Sequence, residues 1–401
     1  MSARLQLPLA LITQILALCC WLNTAATLPA IAAEYGLDTG AGSGLTAAVQ
    51  AGFALGALGL ALFRAPDRVP PAVLISVGAA ATAILTVLPV VVDLGFAGFL
   101  VTKTLVGCAL AAVYTTGMRV VLSWAPARNR SLAVAALVSA LTLGSAAPHL
   151  LAGSTVLQDW RGLVTLTAAF AAVAAVLGLF SRTGPQVSGI RPLALVDAVR
   201  VLNNRVQRKI TWAYVGHMWE VYGMWVWVPA LLLTLPAVSA LDPAERVATA
   251  GGLTFLIVGA AGTLGCLVGG YLPRFSSKRR FARITVAVSA VCVLLTPALG
   301  VVPLWAAVGI LMLWGAATIG DSALYSAMTG DQSGNAAVGT AIALQMGIGY
   351  CASIGAIYTV PLLAAHTGWS WAFLVLLIGP ILSFIALEPW DRPPGAVRLA
   401  G

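Results

Sequence analysis

The chain has 401 residues, of which 60% are hydrophobic and only 9% are charged. This balance, with a mean hydropathy of +0.96, is incompatible with a surface that faces water on all sides, and it excludes an ordinary soluble globular protein. The net charge of +9 would raise the question of nucleic acid in a soluble protein, so the positions of the basic residues matter more than their number.

Twelve apolar stretches, separated by short polar breaks, predict twelve membrane-spanning helices. In lipid every backbone N–H and C=O group must be hydrogen-bonded within the protein, and stretches of about 20 apolar residues meet that demand as helices. The predicted helices 1 to 12 lie near residues 8–32, 43–63, 71–92, 96–123, 131–153, 163–180, 210–235, 248–272, 282–302, 304–327, 337–364 and 369–388. The predicted fold class is therefore an all-α polytopic membrane protein.

The basic residues outside these helices are distributed unevenly. Almost all of them lie at the two termini and in the breaks that follow even-numbered helices, whereas the opposite breaks hold only Arg161 and Arg246. By the positive-inside rule, this asymmetry predicts a multi-pass protein of the inner (cytoplasmic) membrane with both termini in the cytoplasm. The positive charge is explained by topology, so the lipid bilayer is an expected partner and nucleic acid is not.

All six cysteines fall inside predicted helices, and no CxxC or Cys/His ligand spacing occurs. We therefore expect them to behave as small apolar residues, and we predict neither a metal site nor a cofactor. The basic start Met1–Arg4 before an apolar run resembles a signal peptide. Because the run is long and eleven further spans follow, an uncleaved first helix is the prediction, with no separate soluble domain.

The longest break lies close to the midpoint of the chain and divides six helices from six. It predicts an N-terminal bundle over 1–180, a cytoplasmic linker over 181–209, a C-terminal bundle over 210–388 and a cytoplasmic tail over 389–401. Within the linker, Pro192–Val206 spaces apolar residues among arginines. This pattern fits either a short interfacial helix or a solvated linker.

Two short matches between the halves indicate an internal duplication. The break after the second helix of each half contains similar residues, Pro66–Pro70 in the first and Pro273–Arg279 in the second, with Arg68 aligned to Arg274. At nearly the same offset, Leu105–Gly107 aligns with Leu313–Gly315.

The stretch Gly269–Arg279 resembles the cytoplasmic loop signature of the major facilitator superfamily, Gly-x-Leu-x-Asp-Arg-x-Gly-Arg-Arg. Its acidic position is Pro273 here but Asp67 in the first copy. In helix 4, Lys103 and Gly107 resemble the family's Arg-x-x-x-Gly pattern, with lysine in place of arginine.

The resemblance implies two pseudo-symmetric six-helix bundles, a central cavity lined chiefly by helices 1, 4, 7 and 10, and rocking-type alternating access. A secondary transporter rather than an enzyme is therefore expected, and we expect a monomer. The cytoplasmic gate implied by the resemblance involves Asp67, Arg68, Arg274, Lys278 and Arg279. The helix 5 pattern of drug–proton antiporters, Gly-x-x-x-Gly-Pro, is matched only by Pro148.

Few ionisable residues lie within the predicted helices. A charge at bilayer depth costs roughly 2.5–3.5 kcal/mol by insertion scales, so each is a functional candidate. They are Lys103 on helix 4, His217 and Glu220 on helix 7, Asp321 on helix 10 and His149 on helix 5. Arg119 lies near a helix end, and we expect it to extend to the interface.

These charges predict a proton-coupled mechanism. A carboxyl group shielded from water is protonated more easily, so its protonation can be linked to conformation or to substrate binding. Glu220 is the first choice for that role and Asp321 the second, with His217 as a proton relay and Lys103 as the partner of an anionic substrate. The alternative is that Lys103 and Glu220 form a permanent structural ion pair. For His149, a structural helix-end histidine is the favoured interpretation.

Helical spacing groups several of these residues. His217, Glu220, Met224 and Trp227 share a face of helix 7 that is predicted to line the cavity. Lys103 shares a face with Tyr114 on helix 4. On helix 10 the shared face holds Trp314, Thr318, Asp321 and Tyr325. Further substrate or coupling candidates are Tyr222, Asn23, Gln50 and Gln345, although the last three are weaker because each can simply hydrogen-bond between helices.

The sequence favours proton-coupled transport of a small organic solute, with an organic anion preferred because of Lys103. The alternative is proton-driven efflux of amphiphilic drugs or metabolites, suggested by the aromatic residues of helix 7. A membrane-embedded enzyme or sensor is a distant third, because the chain has no HExxH or GxSxG motif with catalytic partners and no predicted output domain. The sequence identifies neither the substrate nor the direction of transport.

Overall fold

The computed structural model describes residues 3–63, 65–126, 129–153, 159–186, 203–332 and 338–388. Within these ranges the chain consists of helices joined by short connections, with no β-strand. The all-α prediction is confirmed.

The first six predicted spans correspond to six helices in the N-terminal half. They are α1 (Ala3–Leu18 and Asn23–Tyr35), α2 (Thr39–Leu62), α3 (Pro71–Val91), α4 (Gly95–Trp124), α5 (Arg130–Ala152) and α6 (Trp160–Gly178). Each begins and ends within a few residues of the range that hydropathy alone predicts.

The C-terminal half repeats this arrangement with more irregular helices. They are α7 (Arg205–Thr234), α8 (Pro243–Thr254, the π-helical Phe255–Ala261 and Gly262–Tyr271), α9 (Lys278–Leu294), α10 (Leu304–Gly320 and Ser322–Gln332), α11 (Val338–Thr367) and α12 (Trp369–Ala372, the 3-10 segment Phe373–Leu377 and Ile378–Ala386).

Ten of these helices are long and apolar enough to cross a membrane by length and composition. The other two, α7 and α9, overlap predicted spans 7 and 9. The helix α7 begins with basic residues and has a polar interior, and α9 is a basic-ended helix of 17 residues. The polar interior of α7 and the short length of α9 therefore account for their absence from the ten.

Two spans are interrupted near their middle. The helix α1 unwinds over Cys19–Leu22, and α10 breaks at Asp321. Non-helical backbone at membrane depth is tolerated only where protein or a cavity surrounds it, and both interruptions are buried. The breaks therefore lie in the interior of the protein, and the one in α10 carries a charged side chain.

The internal duplication is visible in the helix packing. A Cβ atom at Gly107 of α4 would clash with the carbonyl oxygen of Val49 on α2, and one at Gly315 of α10 would clash with the carbonyl oxygen of Ile257 on α8. The same number of residues separates the two glycines as separates the two carbonyl groups. The aligned glycines thus permit equivalent close helix contacts in both halves.

The most extensive contacts between the two halves run along two helix pairs, α2 with α11 and α5 with α8. In the first pair, Gly44 lies beside the Tyr358 hydroxyl and Gly347 lies beside Leu58, so the contact reaches both ends. In the second, the Cys266 thiol donates to the carbonyl oxygen of Ala135 at 3.3 Å. The bundles are therefore packed together on both sides of the central region.

The predicted domain boundaries fall partly outside the described residues. Residues 187–202, which hold most of the linker and of the proposed interfacial segment Pro192–Val206, and the tail 389–401 are not described. At the start of the linker, the backbone N–H of Gly184 donates to the Ser123 hydroxyl at 2.8 Å. The boundaries stay a prediction.

The glycine contacts give a first test. We expect Gly315→Ala to destabilise the protein by about 1–3 kcal/mol, because the added methyl group forces α10 away from α8. The control Gly309→Ala, on the same helix with open space around the added atom, should leave stability within about 0.5 kcal/mol. Thermal unfolding of the purified variants measures both, and equal melting temperatures would contradict the packing described.

Candidate functional site

A small cavity lies between the two bundles and is lined by residues of α4, α5, α7, α10 and α11. Its volume of about 40 Å³ is room for a few water molecules. The lining includes five aromatic side chains, Tyr114, Tyr214, Tyr222, Trp225 and Tyr350, together with three methionines. Among the described lining residues, His217 is the only histidine and there is no Lys, Arg, Asp or Glu.

The cavity is displaced toward one face of the membrane. On α4 it is lined by Tyr114 and Met118, near the end at Trp124, and on α10 by Ser322 and Ser326 of the second segment. These helix ends lie on the side that the loop charges predict to be cytoplasmic.

An aromatic cluster of four residues, two of which line the cavity, joins the bundles. Trp21, at the break in α1, and Phe53 of α2 have ring centroids 4.8 Å apart. Trp21 stacks on Tyr222 of α7 at 6.1 Å, and Phe53 contacts Tyr350 of α11 at 4.9 Å. The bundles therefore meet here through ring contacts rather than through charges.

His217 and Asp321 form a buried pair at the cavity wall. The His217 Nδ1 atom lies 2.8 Å from Asp321 Oδ1, and the Tyr325 hydroxyl donates to Asp321 Oδ2 at 2.7 Å. His217 lines the cavity, while Asp321 sits behind it at the break in α10. The carboxylate thus reaches the cavity through an imidazole, which can carry a proton.

Glu220 faces away from the cavity, into the C-terminal bundle. Its Oε1 atom accepts hydrogen bonds from the Ser289 hydroxyl, from Trp314 Nε1 at 2.7 Å and from the Thr318 hydroxyl at 3.4 Å. These donors belong to α9 and α10. They are neutral, and the side chain is buried. The arrangement satisfies a buried carboxylate by hydrogen bonding and ties three helices together.

Lys103 lies in the N-terminal bundle, away from Glu220. Its Nζ atom donates to Asn23 Oδ1 at 3.0 Å, and the Asn23 amide donates to the Thr167 hydroxyl at 3.0 Å. The ammonium group also lies 5.5 Å from the centroid of the Phe99 ring. Among the residues that the structure describes, Lys103 and Glu220 form no ion pair, so the permanent pair considered from the sequence is absent.

The prediction that four residues of helix 7 line the cavity is wrong for three of them. Only His217 lines the cavity, whereas Glu220, Met224 and Trp227 do not. Trp227 Nε1 donates to the carbonyl oxygen of Ile357 at 2.9 Å. The helix is rotated so that an adjacent face, including Tyr222 and Trp225, meets the cavity.

The remaining candidates have varied surroundings. Tyr114 lines the cavity, as the helix 4 face suggested. Gln345 accepts a hydrogen bond from the Thr329 hydroxyl at 2.7 Å, which is a contact between helices. Gln50 is fully buried, and neither polar atom of its amide has a partner among the described residues.

The loop residues are only partly described. The side chains of Asp67 and Arg274 lie outside the described part, and Arg68 is exposed. Lys278 Nζ lies 2.7 Å from Asp331 Oδ2 in an ion pair within the C-terminal bundle. The role of these residues and of Arg279 in a gate stays a prediction.

The sequence reasoning missed Trp21, Phe53, Tyr350 and Ser289. The first three belong to the aromatic cluster. No sequence pattern distinguished them, because isolated aromatic residues are common in membrane helices. Ser289 could have been found only by placing α9 beside Glu220. A hydroxyl in a helix gives no sign of its partner.

Glu220 gives a second test. We expect Glu220→Ala to lower the free energy of unfolding by about 2 kcal/mol, because Trp314 then has a buried N–H without an acceptor. Glu220→Gln retains an acceptor oxygen and should lose less. The control Glu245→Ala, at an exposed position of α8, should change little. Thermal unfolding compares the three, and equal losses in the Ala and Gln variants would argue against the hydrogen-bond role.

The chain was compared with known proteins. The sequence model described as Major Facilitator Superfamily matches residues 10–356. The solved structure of the proton:xylose symporter XylE bound to 6-bromo-6-deoxy-D-glucose aligns with a TM-score of 0.72 and 13% identity, over 94% of this chain and 94% of the symporter chain.

A solved structure of a mutant of the nucleoside transporter NupG aligns with a TM-score of 0.73 and 13% identity, over 97% of this chain and 100% of that chain. No curated protein has a significant sequence match. At this level of identity, the two structures show a shared fold and nothing about the substrate.

Proposed function

Because this chain belongs to the Major Facilitator Superfamily, and is a secondary transporter of small solutes rather than an enzyme, we propose that it moves a small aromatic or amphiphilic organic solute, coupled to protons. This solute class is the one in the second transport hypothesis suggested by the sequence, amphiphilic drugs or metabolites.

The lining of the cavity is the observation that supports this substrate class most strongly. Aromatic residues and methionines make up half of its described lining residues, and none of these residues is a Lys or Arg that would bind an anion. Flat apolar walls with few polar groups favour ligands that bring rings of their own. Methionines adapt to ligands of different shape.

The His217–Asp321 pair supports proton coupling. A solute that enters when the bundles move apart and widen the cavity contacts His217, whose Nδ1 atom lies 2.8 Å from Asp321 Oδ1. Contact with the imidazole links occupation of the cavity to the group through which a proton reaches Asp321. We therefore place Asp321 with His217 ahead of Glu220, since Glu220 faces away from the cavity.

The organic anion favoured by the sequence needs Lys103 at the cavity. Lys103 is not among the lining residues and is hydrogen-bonded to Asn23.

We also retain three proposals that rest on the sequence: an inner membrane location, cytoplasmic termini and a monomeric state. The basic residues in the breaks that follow even-numbered helices support the membrane location and the cytoplasmic termini.

Proton coupling can be tested in proteoliposomes that contain a fluorescent pH indicator. Addition of aromatic amines, acids or neutral aromatic compounds should change the internal pH beyond the change in protein-free liposomes for at least one class. Asp321→Asn, which keeps the shape of the side chain, should abolish this proton movement while solute exchange persists. The control Asp331→Asn, at the exposed ion pair with Lys278, should behave as the wild type. Proton movement that persists unchanged in Asp321→Asn contradicts the assignment.

The substrate charge can be tested by ligand-induced thermal stabilisation, which follows mass action. We expect benzamide to stabilise the wild type and Lys103→Gln equally, and benzoate to stabilise neither of them more than benzamide does. The glutamine keeps a donor for Asn23, so the bundle should fold. A benzoate effect that exceeds that of benzamide and disappears in Lys103→Gln would restore the organic-anion hypothesis.

A further inference from the structure

The side chain of Trp225, a residue of the cavity wall, has a buried polar atom with no hydrogen-bond partner among the described residues. Trp225 lies on α7, lines the cavity and has 1% of its surface exposed. Its indole Nε1 atom is buried, with no acceptor among the residues that the structure describes. An indole N–H can only donate, and leaving a buried donor unpaired costs about 1–3 kcal/mol.

The other tryptophans of α7 with buried indole nitrogens are satisfied. Trp219 Nε1 donates to the carbonyl oxygen of Val375 at 3.2 Å, and Trp227 Nε1 donates to that of Ile357 at 2.9 Å. Trp21 Nε1 in α1 also lacks a partner, but Trp21 does not line the cavity. Within the lining, an unpaired indole donor is therefore specific to Trp225.

The position of Trp225 separates it from the proton-coupling pair. It lies eight residues after His217, which corresponds to about 12 Å along the helix. Its ring is next to Tyr222, with centroids 5.8 Å apart and planes at 61°. A solute ring that contacts Tyr222 thus has the Trp225 side chain beside it, whereas His217 is reached from another part of the cavity.

We propose that Trp225 donates a hydrogen bond to an uncharged acceptor on the transported solute, such as a carbonyl oxygen, an ether oxygen or a ring nitrogen. The solute class is therefore an aromatic compound with an acceptor attached to or within the ring system. An uncharged acceptor fits because no Lys or Arg occurs among the lining residues that the structure describes, and a carboxylate would lack a counter-ion there. This inference rests on the proposed function and makes its substrate class more specific.

Two variants on the same helix distinguish this role from general packing. Trp225→Phe removes a donor that has no protein acceptor, so the empty protein loses no hydrogen bond. Trp227→Phe removes a satisfied donor and leaves the Ile357 carbonyl group unpaired, so it is the matched control. A role in ligand recognition predicts that only the first variant changes selectivity.

The experiment uses the purified full chain and two probes of similar shape, acetophenone and ethylbenzene, of which only acetophenone carries a carbonyl acceptor. Affinities are obtained from concentration-dependent thermal stabilisation. For each variant, the affinity for acetophenone is divided by that for ethylbenzene, and these ratios are compared between variants. The partition of the probes into detergent is the same in every sample and therefore cancels. We expect the preference for acetophenone to fall about fivefold to tenfold in Trp225→Phe, the loss of one hydrogen bond, and to be unchanged in Trp227→Phe.

The outcomes separate this inference from the proposed function. The role of the Trp225 donor is overturned if the wild type does not prefer acetophenone over ethylbenzene, if the preference persists in Trp225→Phe, or if both variants lose it equally. These outcomes leave the aromatic-solute proposal in place. Binding of neither probe overturns the aromatic-solute proposal and this inference with it.

A second measurement needs no variant. In the wild type with ¹⁵N-labelled tryptophan, acetophenone should shift one indole N–H resonance that ethylbenzene leaves in place. The same response to both probes would overturn the proposal.

Discussion

Ionisable side chains inside the bilayer have to find their partners within the protein, because lipid offers neither water nor counter-ions. Lys103 meets this constraint through Asn23 and Thr167 in the N-terminal bundle. In the C-terminal bundle, Glu220 is satisfied by neutral donors and Asp321 by His217 and Tyr325. Each ion pair between described residues joins two residues of the same bundle, and no such pair connects the N-terminal bundle to the C-terminal bundle.

This segregation suits a protein whose bundles move against each other. If a buried ion pair joined the halves, each cycle would leave two unpaired charges, and breaking such a pair is strongly unfavourable. The contacts between the halves among described residues are instead ring contacts, such as those of Trp21 and Phe53 with Tyr222 and Tyr350, close helix approaches and long hydrogen bonds such as that from Cys266. Contacts of this kind can be lost and reformed at modest cost.

The two halves share their helix packing but differ in their buried ionisable residues. The equivalent glycines Gly107 and Gly315 permit the same helix approach in both halves. Among the described residues, by contrast, the buried carboxylates Glu220 and Asp321 lie in the second half and the buried Lys103 lies in the first. Proton coupling is therefore proposed for the C-terminal bundle, and the N-terminal bundle contributes Tyr114 and neighbouring apolar residues to the cavity.

The sequence determined the spans, the duplication and the identity of the buried charges, because the hydropathy needed to cross a bilayer and the cost of a charge within it are local properties of the chain. Helical periodicity also placed Trp314 and Thr318 on one face, and both contact Glu220. Periodicity fixes the directions of side chains relative to one another on a helix, but it does not fix the rotation of that helix against its neighbours.

Only the tertiary structure decided that rotation. Close packing of Gly216 on the backbone of Gly379 in α12 accompanies the orientation of α7 that directs Glu220 toward α9 and α10 and leaves His217 and Trp225 at the cavity. The partners of Lys103 and Glu220 and the unpaired donor of Trp225 follow from contacts between helices distant in sequence, which no local pattern encodes.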